Sequence, residues 1–99
     1  METIVVERTL QEPMDVAALA ANGERTQACL QAHNVRFVQT FRSPDGKRVI
    51  CVYEAPDAES VRIALRQDGV LPFDSAWKAS VWRARDIAAL AGSRTVQDD

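Results

Sequence analysis

The chain has 99 residues, enough for one domain, and a domain of this length buries only about 65% of the surface that its unfolded chain exposes. Its 12 basic and 14 acidic side chains give a formal net charge of −2, which excludes the strongly basic footprint of a nucleic-acid or anionic-membrane binder. With an acidic residue at position 2 and a short apolar run behind it, the N-terminal stretch is neither a signal peptide nor a membrane span, and two cysteines without an export signal point to reduced thiols in a cytoplasmic protein.

Ile4, Val5 and Val6 form a β-branched run followed by Glu7, Arg8 and Thr9, the pattern of a first strand buried near its start. Pro13 and Asp15 open a helix in which Val16, Leu19, Ala20, Gly23, Gln27 and Leu30 keep the 3.6-residue period, and Asn34 marks its stop. Val35 to Phe41 alternates as an edge strand, which assigns Val35, Phe37 and Phe41 to one face and Arg36, Thr40 and Arg42 to the other. The stretch SPDGK, residues 43–47, carries Pro44 and Asp45-Gly46, a turn signal that makes residues 35–54 a hairpin. In the second arm Val49, Cys51 and Tyr53 share one face and Ile50 and Val52 the other, so this strand is expected in the sheet interior, covered on both sides.

Pro56 cannot donate to a strand ladder and Asp57 suits an N-cap, so the second helix is expected to begin there. Val61, Ala64 and Leu65 make its buried stripe, with Gly69 as its left-handed stop. After the apolar connector Leu71-Pro72-Phe73, residues 76–82 alternate as a fourth strand, with Trp77, Ala79 and Val81 opposed to Lys78, Ser80 and Trp82.

The order βαββαβ with right-handed crossovers predicts an α+β, ferredoxin-like fold: four antiparallel strands ordered 4-1-3-2 with two helices on one face. Residues 1–83 form this domain, and residues 84–99 carry one short amphipathic turn around Ile87 and Leu90, then the composition of a mobile tail from residue 92. The other face of the sheet is bare, and a third strand apolar on both sides calls for a cover. A second copy of the chain, an apolar ligand or both would supply it, and the turn at Ile87 and Leu90 allows packing across such a homodimer.

The run CVYEAPD, residues 51–57, followed by a helix and by Gly69 and Pro72, resembles the signature of the DUF4242 family of small nickel-binding-type proteins. Val6-Glu7-Arg8 and the strand from Phe37 to Ser43 are similar to it as well, and the resemblance spans roughly residues 3–82. It implies a ferredoxin-like dimer related to the dimeric α/β barrels, with nickel as the ion. Nickel-holding members carry further histidines, one of them in the second helix, whereas Arg62-Ile63-Ala64-Leu65-Arg66 has none here.

The residues themselves nominate two sites. Cys29 and His33 stand at i and i+4 on the first helix, the spacing of paired helical metal ligands, and Cys51 is a further thiol donor. Tyr53 and Glu54 end a strand where the chain turns, and with Phe37 they suit the mouth of a pocket for an apolar ligand. Trp77, Trp82, Phe37 and Phe41 fit core and dimer contacts better than a cofactor box. No phosphate loop, catalytic carboxylate motif or Ser/His/Asp order is present, so no standard hydrolase or nucleotide enzyme is visible. Three readings stay open: a homodimeric protein binding nickel or another divalent ion, a small oxygenase or isomerase of the dimeric α/β barrel type using Tyr53, Glu54 or His33, and an interaction module with no ligand.

Overall fold

The computed structural model describes the backbone of residues 1–98 and the side chains of residues 1–92. Strands β1 (Glu2–Thr9), β2 (Arg36–Arg42), β3 (Arg48–Ala55) and β4 (Ser75–Ala79) form one antiparallel sheet in the order β2-β3-β1-β4, as the ferredoxin-like pattern predicts. β1 is central: it pairs with β3 from Glu2 opposite Ala55 to Thr9 opposite Arg48, and with β4 from Thr3 opposite Ala79 to Glu7 opposite Ser75. Ile4 and Val6 on β1, with Val49, Cys51, Tyr53 and Ala55 on β3, are buried on one face of the sheet. The alternate residues Val5, Ile50 and Val52 are only half-buried on the other face.

Local chemistry fixes the element ends. Asp57 caps α3 (Ala58–Asp68), its carboxylate accepting from the Ser60 N–H and hydroxyl, both at 2.7 Å. These two bonds hold the Asp57 carboxyl below its ordinary pKa. At the other end Gly69 adopts φ 64° and its N–H returns to the Leu65 carbonyl, closing the helix in the left-handed conformation expected of it. Asn34, at φ 59°, ends α2 (Gly23–Ala32) in a Schellman arrangement, with the Asn34 N–H on the Gln31 carbonyl and the Val35 N–H on that of Leu30. In the β2–β3 turn Asp45 accepts from the Ser43 hydroxyl and the Lys47 N–H, while Gly46 sits at φ 75°.

Four expectations need correction. The first helix is two: α1 (Val16–Ala21) ends at Asn22, whose N–H is shared between the Ala18 and Leu19 carbonyls, and α2 starts at Gly23. The poor helix formers Asn22 and Gly23 meet at the break. On β2 a bulge between Phe37 and Gln39 inserts Val38, so Phe37 opposite Tyr53 and Thr40 opposite Cys51 share the helix-covered face, whereas Phe41 opposite Ile50 looks the other way. β4 stops at Ala79 because its register leaves β1 there, and Val81 and Trp82 are exposed beyond it. The C-terminal element is a full helix, α4 (Ala84–Asp98), rather than one turn, as its alanine-rich start favours. Asp99, the end of the tail expected over residues 92–99, lies outside the described residues.

Among the described residues α4 packs against no other element, and the molecule is drawn out to 56 × 31 × 20 Å. Trp77, Phe37 and Phe41 are also exposed rather than in the core, as is Trp82. No helix among the described residues is long and apolar enough to cross a membrane.

Candidate functional site: a cavity between the sheet and the first two helices

α3 lies directly on the sheet, but α1 buries no residue and α2 buries only Leu30. The alanines of α1 are too short to fill the gap beneath it, and a cavity of about 390 Å³ remains between α1–α2 and the β1–β3–β2 side of the sheet. That volume lies in the range of small-molecule sites. Its roof is mainly apolar, with Met14, Val16, Leu19 and Leu30 beside Thr26 and Gln27, and its floor carries four polar side chains: Arg8, Thr40, Cys51 and Tyr53.

The floor follows from strand alternation. Ile4, Val6 and Arg8 are successive inward residues of β1, and Arg8, only 6% exposed, falls at the end of the strand beneath the gap. Its Nη1 donates to the carbonyls of Leu71 and Pro72, both at 3.0 Å, and its Nη2 donates to the Tyr53 hydroxyl at 3.4 Å. The buried Nε has no acceptor. Thr40 Oγ1 and Cys51 Sγ are 3.3 Å apart, and the Phe37 ring packs on Tyr53 with centroids 5.5 Å apart at 53°.

Burial pushes the Tyr53 hydroxyl up to about 12, with the neighbouring Cys51 adding to the rise and Arg8 opposing it. The phenol therefore keeps its proton at neutral pH. Having accepted from Arg8, it still has that O–H to donate.

Residues 5–78, from β1 to β4, match the protein family described as nickel responsive protein SCO4226-like. The chain belongs to the SCO4226-like family. No curated protein matches it. Among solved structures the SCO4226-like fold recurs in SCO4226 from Streptomyces coelicolor A3(2), at a TM-score of 0.65 and 18% identity over 82% of this chain and 99% of that one. The likeness supports the ferredoxin-like architecture.

Against this family setting the expected site residues separate. Tyr53, Phe37 and Cys51 meet at the cavity, but Glu54 lies on the opposite face of the sheet, paired with Arg36. Cys29 and His33 lie outside the cavity lining, and His33 Nε2 lies 2.8 Å from Gln67 Oε1 on α3.

Among the described residues no group of three or more His, Cys, Asp and Glu side chains is placed to hold a metal ion, so Cys29, His33 and Cys51 do not form one. Sequence reasoning missed Arg8 and Thr40. The first was signalled by its phase with Ile4 and Val6, but the second was hidden by a bulge that no glycine or proline marks.

Proposed function

We propose that this is a small cytoplasmic binding protein, a homodimer, that holds a small organic ligand in the cavity between α1–α2 and the sheet. One observation carries the reading: an apolar space of about 390 Å³ onto which Arg8, Thr40, Cys51 and Tyr53 converge. A module without a ligand has no use for such a gap. Acid–base catalysis is favoured less than binding, because a general acid or base works best with a pKa near the operating pH and the Tyr53 hydroxyl is moved away from it.

Titrating the labelled protein with a fragment library and following amide NMR shifts tests the site. Shifts clustered on Leu30, Thr40, Cys51 and Tyr53 are expected. Gly23→Leu, which adds a side chain where nothing lies within 4 Å at the cavity wall, should abolish them without unfolding the protein. Shifts confined to the open face would move the ligand site there.

The open face supports the homodimer. Val5 stands between Val52 and Trp77 in neighbouring strands, with Phe41 and Ile50 alongside, and Ile87 and Leu90 of α4 are exposed and unpacked. A nickel-related role is supported by the family description and by the DUF4242 resemblance of residues 51–57. With only Cys29 and His33 on α2, a tight site would need donors from a second copy. Native mass spectra with and without nickel test both points. A dimer with whole-number uptake that survives chelation would support nickel binding, a dimer without uptake would remove it, and a monomer would remove the homodimer.

A further inference from the structure

Arg8 is the least explained residue of the cavity. A guanidinium keeps its charge under ordinary conditions, and buried charges are normally paired. Arg8 is 6% exposed, yet among the described residues no carboxylate lies within ion-pair distance of it. Its acceptors are the Leu71 and Pro72 carbonyls and the Tyr53 phenol, all uncharged. Those bonds use both Nη1–H groups and one Nη2–H, leaving the other Nη2–H and the orphaned Nε–H.

Asp68, the one carboxylate among the described lining residues, is turned to α2 instead. It accepts from Thr26 Oγ1 at 3.0 Å and lies 3.7 Å from the Arg25 guanidinium. The cavity lining therefore carries one cation without a carboxylate partner, a guanidinium Nη2–H without an acceptor and the Tyr53 O–H, while the orphaned Nε–H is buried behind them.

We propose that the cavity binds a small organic carboxylate, with the carboxylate on Arg8 and Tyr53 and the apolar body against Met14, Leu19 and Leu30. This rests on the reading of the cavity as the ligand site. Carboxylate matches the guanidinium in charge and planar geometry, and a charge-assisted bond is stronger than a neutral one. A neutral ligand would leave the cation buried and unpaired. An inorganic anion would neutralise it but leave the apolar roof over empty space.

Calorimetric titration of the full chain with phenylacetate and octanoate, with the two corresponding amides, and with inorganic phosphate tests the proposal. At least one acid should bind ten-fold or more tighter than its amide and than phosphate. Arg8→Gln should weaken that acid at least ten-fold and leave the amide unchanged. Tyr53→Phe, which keeps the ring, should weaken the acid about three-fold or more, again without affecting the amide. It carries the test should Arg8→Gln fail to fold.

Equal binding of acid and amide would overturn the carboxylate while leaving the cavity as a ligand site. Phosphate binding as tightly as the acids would overturn the apolar body. No binding by any probe would overturn both the carboxylate and the cavity reading.

Discussion

α3 and the α1–α2 pair cover the same face of one sheet, yet α3 buries Val61, Ala64, Leu65 and Asp68 whereas α1 buries nothing and α2 only Leu30. The difference is in side-chain length and continuity. α3 runs unbroken between a capping aspartate and a left-handed glycine, with branched residues in phase toward β4, β1 and β3. α1 presents alanines and ends at Asn22, so its axis is interrupted before a long apolar stripe can form. Tight packing on one half holds the fold, which leaves the other half free to keep a cavity.

The largest effects should separate the two halves. Val61 is fully buried, so Val61→Ala removes two methyl groups from closed packing and should cost about 2 kcal/mol. Leu19 is half-buried at the wall of an existing cavity, so Leu19→Ala opens little new void and should cost less than about 1 kcal/mol. Urea unfolding of both variants measures the contrast. Equal losses would mean that α1 is packed as firmly as α3.

Glycines sharpen the same comparison at smaller amplitude. Gly69 has φ 64° but no neighbour nearer than the Arg66 carbonyl oxygen at 3.8 Å, so Gly69→Val meets backbone strain rather than a clash, and should cost more than about 1 kcal/mol. Gly23, beside the cavity, has open space and no left-handed backbone, so a side chain there should be tolerated. A melting curve unchanged by Gly69→Val would count against the role of that stop in closing α3.

Much of the fold was legible because its punctuation is chemical and local. Asp57, Gly69, Asn34 and the Asp45-Gly46 turn each act within a few residues, and each sits where its side chain or positive φ is used. Strand alternation likewise placed Cys51 and Tyr53 on the face of Val49. Features set by distant partners were not legible. The bulge at Val38 depends on β3, and without it Thr40 and Phe37 would not share a face. Arg8 reads as the polar end of a strand until the gap above it is seen. Glu54 was one residue out of phase with the cavity, and a period of two leaves no tolerance for that.

The smallest effect at neutral pH concerns Tyr53, the floor of the loosely covered half. Its bond from Arg8 is long, at 3.4 Å, so Tyr53→Phe should change stability by less than about 1 kcal/mol at pH 7. At high pH the same residue should become visible. Burial raises its folded-state pKa from 10.0 to about 12, so the neutral phenol is favoured by folding. That contribution is complete below pH 10 and is lost as the pH rises toward 12, because the unfolded chain gives up the proton that the folded one retains. Tyr53 is the chain's only tyrosine, so its ultraviolet absorbance reports this ionisation without interference from another phenol. The folded protein should titrate near 12 and the urea-unfolded chain near 10, and Tyr53→Phe should flatten the alkaline fall in stability. A phenol that ionises near 10 in the folded protein would mean that water fills the cavity floor. The loose cover of α1–α2 would then fail to shield the Tyr53 hydroxyl from solvent.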